Sequence, residues 1–117
     1  MLMIHKAYGY VTYEQADTHF LLTLPNGLVP NDYVNDDEEW AQTVLRAVEE
    51  QTGLQATIQR FLTSDYGIYG GEAVHRHFYL LTVDSSQVEL ATGRWVTGEE
   101  MDALAPDISR YAYLAFA

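Results

Sequence analysis

The chain has 117 residues, of which 48% are hydrophobic and 20% charged, a composition typical of one globular domain with its own core. Seventeen acidic residues against six lysines and arginines give a formal net charge of −11, so nucleic acids and anionic membranes are poor partners. The absence of cysteine excludes disulfides, thiolate nucleophiles and cysteine-based zinc sites.

The N-terminal sequence, MLMIHKAYGY, lacks the long apolar core of a signal peptide. No apolar run approaches the ~18 residues that a membrane span needs. We therefore expect a cytoplasmic protein. A small phosphorylated ligand is compatible with the negative charge only if a cation lies between the carboxylates and the phosphate oxygens.

Two strands of a hairpin are predicted near the N-terminus. Aromatic and β-branched residues are concentrated at 3–13 and 19–24, and the polar residues EQAD separate them. The segment PNGLVPND that follows has the prolines, glycine and asparagines of a turn-rich loop.

The next segment predicts an amphipathic helix from about 36 to 51. Asn35 is expected to be its N-cap, with Glu38 as the capping-box partner, and the acidic residues at 36–39 complement the positive end of the helix dipole. Gly53 supplies the left-handed residue after the last turn. One apolar stripe, which should pack on a sheet, is formed by Trp40, Ala41, Val44, Leu45 and Val48.

The second half of the chain predicts two longer strands, at 54–66 and 73–83, joined by the glycine-rich turn GIYGGE. A short strand, GRWV, leads into a helix start with Thr97 and Glu100 as a capping box, and a last helix begins near Asp107. This order predicts a single α/β or α+β domain over residues 1–117, with a mixed sheet sandwiched between helices.

The segment His75-Arg76-His77 lies in a predicted strand, where residues two apart share a face. The two imidazoles could bind a transition metal, but no third ligand stands at a suggestive spacing. We expect these residues to be polar side chains on the open face of the sheet.

The sequence RAVEEQTGL, at 46–54, resembles the second half of the box of the Nudix hydrolases. That box reads Gly, five residues, Glu, seven residues, then Arg-Glu-aliphatic-any-Glu-Glu-any-Gly-aliphatic. With Arg46 on the box arginine, Glu38 falls on the first box glutamate with the required seven residues between them. The remaining matches are Val48, Glu50, Gly53 and Leu54. The hairpin before this box and the HFYLLTV and RWVTGEEMDAL segments after it are similar to Nudix segments in the usual order.

Three positions depart from the box. Ala47 and Gln51 replace two of its glutamates, and Asp32 occupies its first glycine. If Gly27 is the counterpart of that glycine instead, the loop before Glu38 carries a five-residue insertion. The box is therefore degenerate, with two of the three carboxylates of its helical half replaced.

The resemblance implies a Nudix-like fold and hydrolysis of a nucleoside diphosphate-linked or related pyrophosphate compound, with Mg²⁺ or Mn²⁺ as cofactor. A metal ion is needed because the pyrophosphate repels both hydroxide and an acidic protein. The candidate metal ligands are Glu50, Gln51 and Glu38, and the candidate catalytic residues are Glu50, Glu49 and Arg46. Arg46 is expected to orient the acidic residues and to pair with Glu50 four positions on.

Two functions remain open at this point. One is a divalent-metal-dependent hydrolase weakened by the changes at Ala47 and Gln51. The other is a non-catalytic Nudix-fold domain that binds a nucleotide-like ligand or a protein partner. Compensating carboxylates could come from Glu72 or from the acidic run at 36–39, although such a run at a helix start is usually a solvated cap. The aromatic strands and the apolar tail YAYLAFA are compatible with a homodimer.

Overall fold

A computed structural model describes residues 3–84, 86 and 93–116. Its strands are β1 (Ile4–Gln15), β2 (Thr18–Thr23), β3 (Asn31–Tyr33), β4 (Thr57–Tyr69), β5 (Glu72–Thr82) and β6 (Arg94–Val96). Among these residues, they form one six-stranded sheet in the order β4-β5-β1-β2-β6, with β3 also paired to β1. The β1–β5 pair is parallel and the other pairs are antiparallel, which confirms the predicted mixed sheet.

Helices cover both faces of this sheet. On one face lies α1 (Trp40–Thr52), whose Val44 and Val48 pack against Ala7 and Val11 of β1. This contact is close, because a Cβ atom added at Gly9 would lie 2.7 Å from Cγ2 of Val44. The opposite face is covered by a 3₁₀ helix (Gly98–Ala103) and α2 (Pro106–Ala115). The architecture is the predicted sandwich of a mixed sheet between helices.

The two hairpin turns are tighter than the sequence predicts. Ala16 and Asp17 connect β1 to β2 with φ angles of 51° and 64°, and Gly70 and Gly71 connect β4 to β5 with φ angles of 60° and 84°. Two consecutive positive φ angles suit a two-residue turn whose twist matches that of the strands. The first residues of EQAD and of GIYGGE therefore belong to β1 and β4.

The predicted start of α1 at residue 36 is wrong. The helix begins at Trp40, and Glu39 is its N-cap in a capping box with Gln42. Asp37 has a φ angle of 66°, which a right-handed helix does not allow. The predicted Asn35–Glu38 pair does form, but as a turn before the helix, in which the Asn35 N–H donates to the Glu38 carboxylate over 3.3 Å.

The end of α1 and the start of the 3₁₀ helix follow the sequence signals. Gly53, with a φ angle of 78°, ends α1 and donates its N–H to the Glu49 carbonyl. The Thr97–Glu100 capping box precedes the 3₁₀ helix as predicted.

In the part of the chain that the structure describes, each helix is too short or too polar to cross a membrane.

Candidate functional site

Arg46, in the middle of α1, contacts two of the acidic residues that precede the helix, Asp32 and Glu38. Its Nε and Nη2 donate to the two carboxylate oxygens of Glu38 over 3.0 and 2.9 Å, and its Nη1 donates to Asp32 over 2.9 Å. Its Nη1 also lies 3.7 Å from the carboxylate of Glu50. The Arg46–Glu50 pair predicted from spacing is thus a contact in the structure, and Glu38, which is in box register with Arg46, is a further partner of the guanidinium. Arg46 orients this cluster by holding the loop before α1 against the helix.

Glu38 is committed to protein donors. Besides the two bonds from Arg46, its Oε1 accepts the Thr43 hydroxyl over 2.6 Å. Hydrogen bonds from Arg46 and then Thr43 lower the pKa of Glu38 to about 2, so the carboxylate is ionised at neutral pH. A metal ion at Glu38 would have to compete with the Arg46 guanidinium. The geometry therefore favours an anchoring role for Glu38.

The two degenerate positions have structural roles. Ala47 is fully buried in the core between α1 and the sheet. Gln51 uses its side-chain amide to hold the backbone of β3, because Nε2 donates to the Asn31 carbonyl over 2.7 Å and Oε1 accepts the Asn31 N–H over 3.3 Å. A glutamate at position 51 could make only the second of these bonds.

Glu50 offers an accessible carboxylate at the predicted site, since its side chain is 59% exposed. Glu49 is exposed beside it on α1. Glu72, considered as a substitute ligand, lies at the start of β5 and accepts a hydrogen bond from the Tyr33 hydroxyl over 3.3 Å. Of the box positions that require an acidic residue in the helix, Glu50 thus keeps an exposed carboxylate, with Glu49 exposed beside it.

An open cleft of about 550 Å³ borders Gln51. It lies between the end of α1, the start of β3 and the loop after β2. Its lining residues are Leu24, Pro25, Asn26, Leu28, Asn31 and Gln51. The loop keeps its shape through a turn in which the Gly27 N–H donates to the Leu24 carbonyl over 3.0 Å. Both apolar and amide groups line this space, which suits a small organic ligand.

No protein-family profile and no curated protein sequence matches the chain. Solved structures do match. A Nudix-family hydrolase from Clostridium perfringens superposes with a TM-score of 0.79 at 12% identity, covering 98% of this chain and 97% of that one. The Ap4A hydrolase of C. elegans gives 0.76 at 18% identity, covering 98% and 92%. The Nudix domain of Shewanella oneidensis NrtR, solved with ADP-ribose, gives 0.75 at 12% identity, covering 99% and 86%.

The chain has the Nudix fold. The matches span nearly the whole of this chain and of the proteins compared, so the Nudix fold accounts for all of its sheet and helices. This confirms the fold that the sequence resemblance implies.

Three histidines on the α1 side of this Nudix fold lie together. The parallel register of β1 and β5 places His5 beside His75, and His77 follows on the same face of β5. Nδ1 of His5 lies 2.9 Å from Nε2 of His77, and Nδ1 of His77 lies 2.9 Å from the Ser64 hydroxyl. Burial, followed by the charges of His75 and His5, lowers the pKa of His77 to about 4.

The prediction that His75, Arg76 and His77 lie on an open sheet face is wrong for Arg76 and His77, while His75 is half-buried. Both Arg76 and His77 are fully buried, because each face of β5 is covered by other elements. Sequence spacing could not indicate His5 as a third imidazole, since it belongs to a strand about 70 residues earlier. His5 could have been identified only from the parallel pairing of β1 with β5, which places it beside His75.

Arg76 points to the opposite face and has a different set of partners. It donates to both carboxylate oxygens of Asp65, over 2.8 and 2.6 Å, and to Asp107 over 2.8 Å. Burial alone would raise the pKa of Asp65, but hydrogen bonds from Arg76 and Tyr111, with the charge of Arg76, hold it below its ordinary value. This cluster ties β4 and β5 to α2.

Proposed function

We propose that the chain is a slow hydrolase of a nucleoside diphosphate-linked compound that depends on Mg²⁺ or Mn²⁺. The observation that carries this proposal is the Arg46 cluster. It keeps Glu38 and Arg46 in box register on a Nudix fold and leaves the Glu50 carboxylate exposed. Solved neighbours of the same fold include a protein named as an Ap4A hydrolase and a Nudix domain solved with ADP-ribose.

The donor set fits a divalent ion that is shared with the substrate. Mg²⁺ keeps several of its waters and is commonly held by one or two carboxylates together with substrate phosphates. Glu50 would supply the charged ligand, with Glu49 next to it, while the Gln51 amide stays on β3. The ion, when bound, neutralises phosphate charge and activates water.

The roles of the protein groups follow from their contacts. Glu50 holds a negative charge at the exposed edge of α1, and Arg46 fixes the orientation of that edge through Glu38 and Asp32. The cleft beside Gln51 receives the organic part of the substrate. With one charged ligand, the protein alone should bind metal weakly, and the affinity should rise when a diphosphate compound is present.

The test is hydrolysis of ADP-ribose and of a diadenosine tetraphosphate, each with Mg²⁺ or Mn²⁺. We expect slow, metal-dependent turnover that Glu50→Gln abolishes. Glu99→Gln, at an exposed carboxylate of the 3₁₀ helix, is the matched control and should keep the wild-type rate. No turnover by the wild-type protein with either compound and either metal contradicts the hydrolase proposal for these substrates.

A second candidate function is ligand binding without catalysis. It is favoured by the burial of Ala47 and by the hydrogen bonds of Gln51 to Asn31. Both residues stabilise the fold at positions where the box has glutamates. Calorimetric titration with ADP-ribose separates the two. Binding without turnover, unchanged by Glu50→Gln, supports the non-catalytic domain.

A homodimer is part of the proposal as well. The strand β4 lies at the edge of the sheet and exposes apolar side chains, among them Phe61, Tyr66 and Ile68. An exposed edge strand with such side chains can pair with a second chain. Size-exclusion chromatography with multi-angle light scattering should give twice the 13.3 kDa mass of the chain. A monomeric mass contradicts the expectation.

A further inference from the structure

We propose that His5, His75 and His77 form a binding site for a transition-metal ion of the Zn²⁺ class. This site shares no residue with the proposed hydrolase site. Each histidine can offer one ring nitrogen such that the three atoms lie within 4.8 Å of one another. Among the described residues, this is the set of three potential metal-ligating groups that converges in this way.

The spacing of these nitrogens is close to what a metal requires. In a tetrahedral site with zinc–nitrogen distances of about 2.0–2.1 Å, the ligand atoms are about 3.3 Å apart. One pair, His5 Nδ1 and His77 Nε2, is 2.9 Å apart and would have to open slightly. Pairs near 4.8 Å would have to close by about 1.5 Å, which requires the imidazole rings to rotate about χ1 and χ2. The three Cα atoms lie on two hydrogen-bonded strands, so the backbone already brings the ligands together.

Ser64 sets the orientation of the buried ligand. In the tautomer of His77 that suits a metal, Nδ1–H donates to the Ser64 hydroxyl over 2.9 Å, and Nε2 has its lone pair free on the side of His5. A partner on the second ring nitrogen is the usual support of a metal-ligating histidine. In the metal-free protein, the Nδ1–H of His5 then donates to Nε2 of His77. On metal binding, His5 loses that proton and takes one at Nε2, so both imidazoles stay neutral and no net proton is released.

The ligand type decides the class of metal. Neutral imidazoles suit Zn²⁺, Ni²⁺, Cu²⁺ or Co²⁺, whereas Mg²⁺ and Ca²⁺ prefer oxygen ligands. Three histidines would leave a fourth position for water or another ligand, the arrangement of open zinc sites. Trp40, the first residue of α1, covers the cluster, with its ring stacked on His77 at a centroid distance of 3.4 Å. This indole is also a reporter placed directly beside the site.

The experiment is a titration of the tag-free protein with Co²⁺, followed by visible absorption and by tryptophan fluorescence. We expect one Co²⁺ per chain, the intense absorption of a four-coordinate ion, and quenching that Trp40→Phe removes. His75→Gln, which changes a half-buried ligand, should weaken binding at least about ten-fold, since loss of even an outer-shell partner has that effect. His19→Gln is the matched control, because His19 is exposed on β2 beside Glu14 and should leave binding unchanged.

A second measurement keeps the test decisive if His75→Gln fails to fold. Zn²⁺ added to the wild-type protein should shift the imidazole nitrogen resonances of His5, His75 and His77 and leave those of His19 in place. Equal Co²⁺ affinity in His75→Gln and wild type, equal weakening by His19→Gln, or Zn²⁺ shifts that spare the three histidines would overturn the proposal. Loss of Mg²⁺-dependent hydrolysis in Glu50→Gln has no bearing on these readouts, so the two proposals fail separately.

Discussion

Gln51 and Asn31 are joined by two hydrogen bonds, one in each direction, between a side-chain amide on α1 and the backbone of β3. A side-chain amide can donate to a carbonyl and accept from an N–H at the same time, which a carboxylate cannot do. The glutamine at this box position therefore links the end of the helix to the strand. Its role in the structure explains why a carboxylate is absent there without reference to metal binding.

Replacing Gln51 with glutamate should destabilise the protein, although it restores a box residue. The carboxylate would lose the 2.7 Å bond to the Asn31 carbonyl and would face that oxygen with a negative charge. We expect a loss of about 1–3 kcal/mol in the free energy of unfolding, measured with urea. Glu50→Gln, at an exposed neighbour, is the control and should change it little. A Gln51→Glu protein as stable as wild type would show that the Gln51–Asn31 hydrogen bonds contribute nothing to the free energy of unfolding.

Ala47→Glu should be more damaging, because Ala47 is fully buried among the apolar side chains of α1 and the sheet. A carboxylate placed there lacks a charged partner and is either desolvated or forces the helix away from the sheet. The expected loss is about 3 kcal/mol or more, read from the urea midpoint and slope. Leu45→Glu, on the exposed side of the same helix, should lower the free energy of unfolding much less. Equal effects of the two substitutions would contradict the packing seen for Ala47.

Arg46→Lys tests whether the guanidinium shape or only its charge holds the loop. Lysine keeps the charge, but it cannot donate from Nε and Nη2 to both oxygens of Glu38 while also reaching Asp32. The urea midpoint should fall in Arg46→Lys. In a Glu38→Gln background the same substitution should have a smaller effect, because the bidentate pair is already broken. Strictly additive effects would mean that the two residues do not interact in solution.

Local patterns predicted much of this molecule. The strands other than β3, the Gly53 helix end and the Thr97–Glu100 capping box each depend on residues close in sequence, and each was found. The short strand β3 lies where the sequence predicts a turn-rich loop. The Arg46–Glu50 contact followed from the helical spacing of four, whereas the Glu38–Arg46 contact was not predicted. The start of α1 was missed because Asp37 adopts a left-handed conformation, which competes with a strong acidic helix-start signal.

Contacts between distant segments were beyond the sequence. Ala47 and Gln51 read as lost ligands, and only the packing of α1 on β1 and β3 shows what they contact instead. His5 could not be grouped with His75 and His77 until the parallel β1–β5 register was known. Such information depends on strand pairing, which a single sequence does not specify.

Asp65 and Arg76 make the stability of the fold depend on pH. The Arg76 side chain is 1% exposed, and its two bonds to Asp65 are joined by one from the Tyr111 hydroxyl to the same carboxylate over 2.9 Å. These donors keep the pKa of Asp65 below its ordinary value of 3.8 despite the opposing effect of burial. The folded state therefore binds this proton less readily than the unfolded state.

The sign of the pH dependence follows from that difference. The contribution of Asp65 is fully present above pH 3.8 and is lost as the pH falls below this value, where the unfolded chain takes up the proton first. Urea unfolding at a series of pH values should give wild type a much larger free energy of unfolding than Asp65→Asn near neutral pH. This difference should narrow below pH 3.8. Asp102→Asn, at an exposed position, should follow the wild-type curve throughout. A gap between wild type and Asp65→Asn that stays constant with pH would mean that the Asp65 carboxylate has the same proton affinity in the folded and unfolded chains.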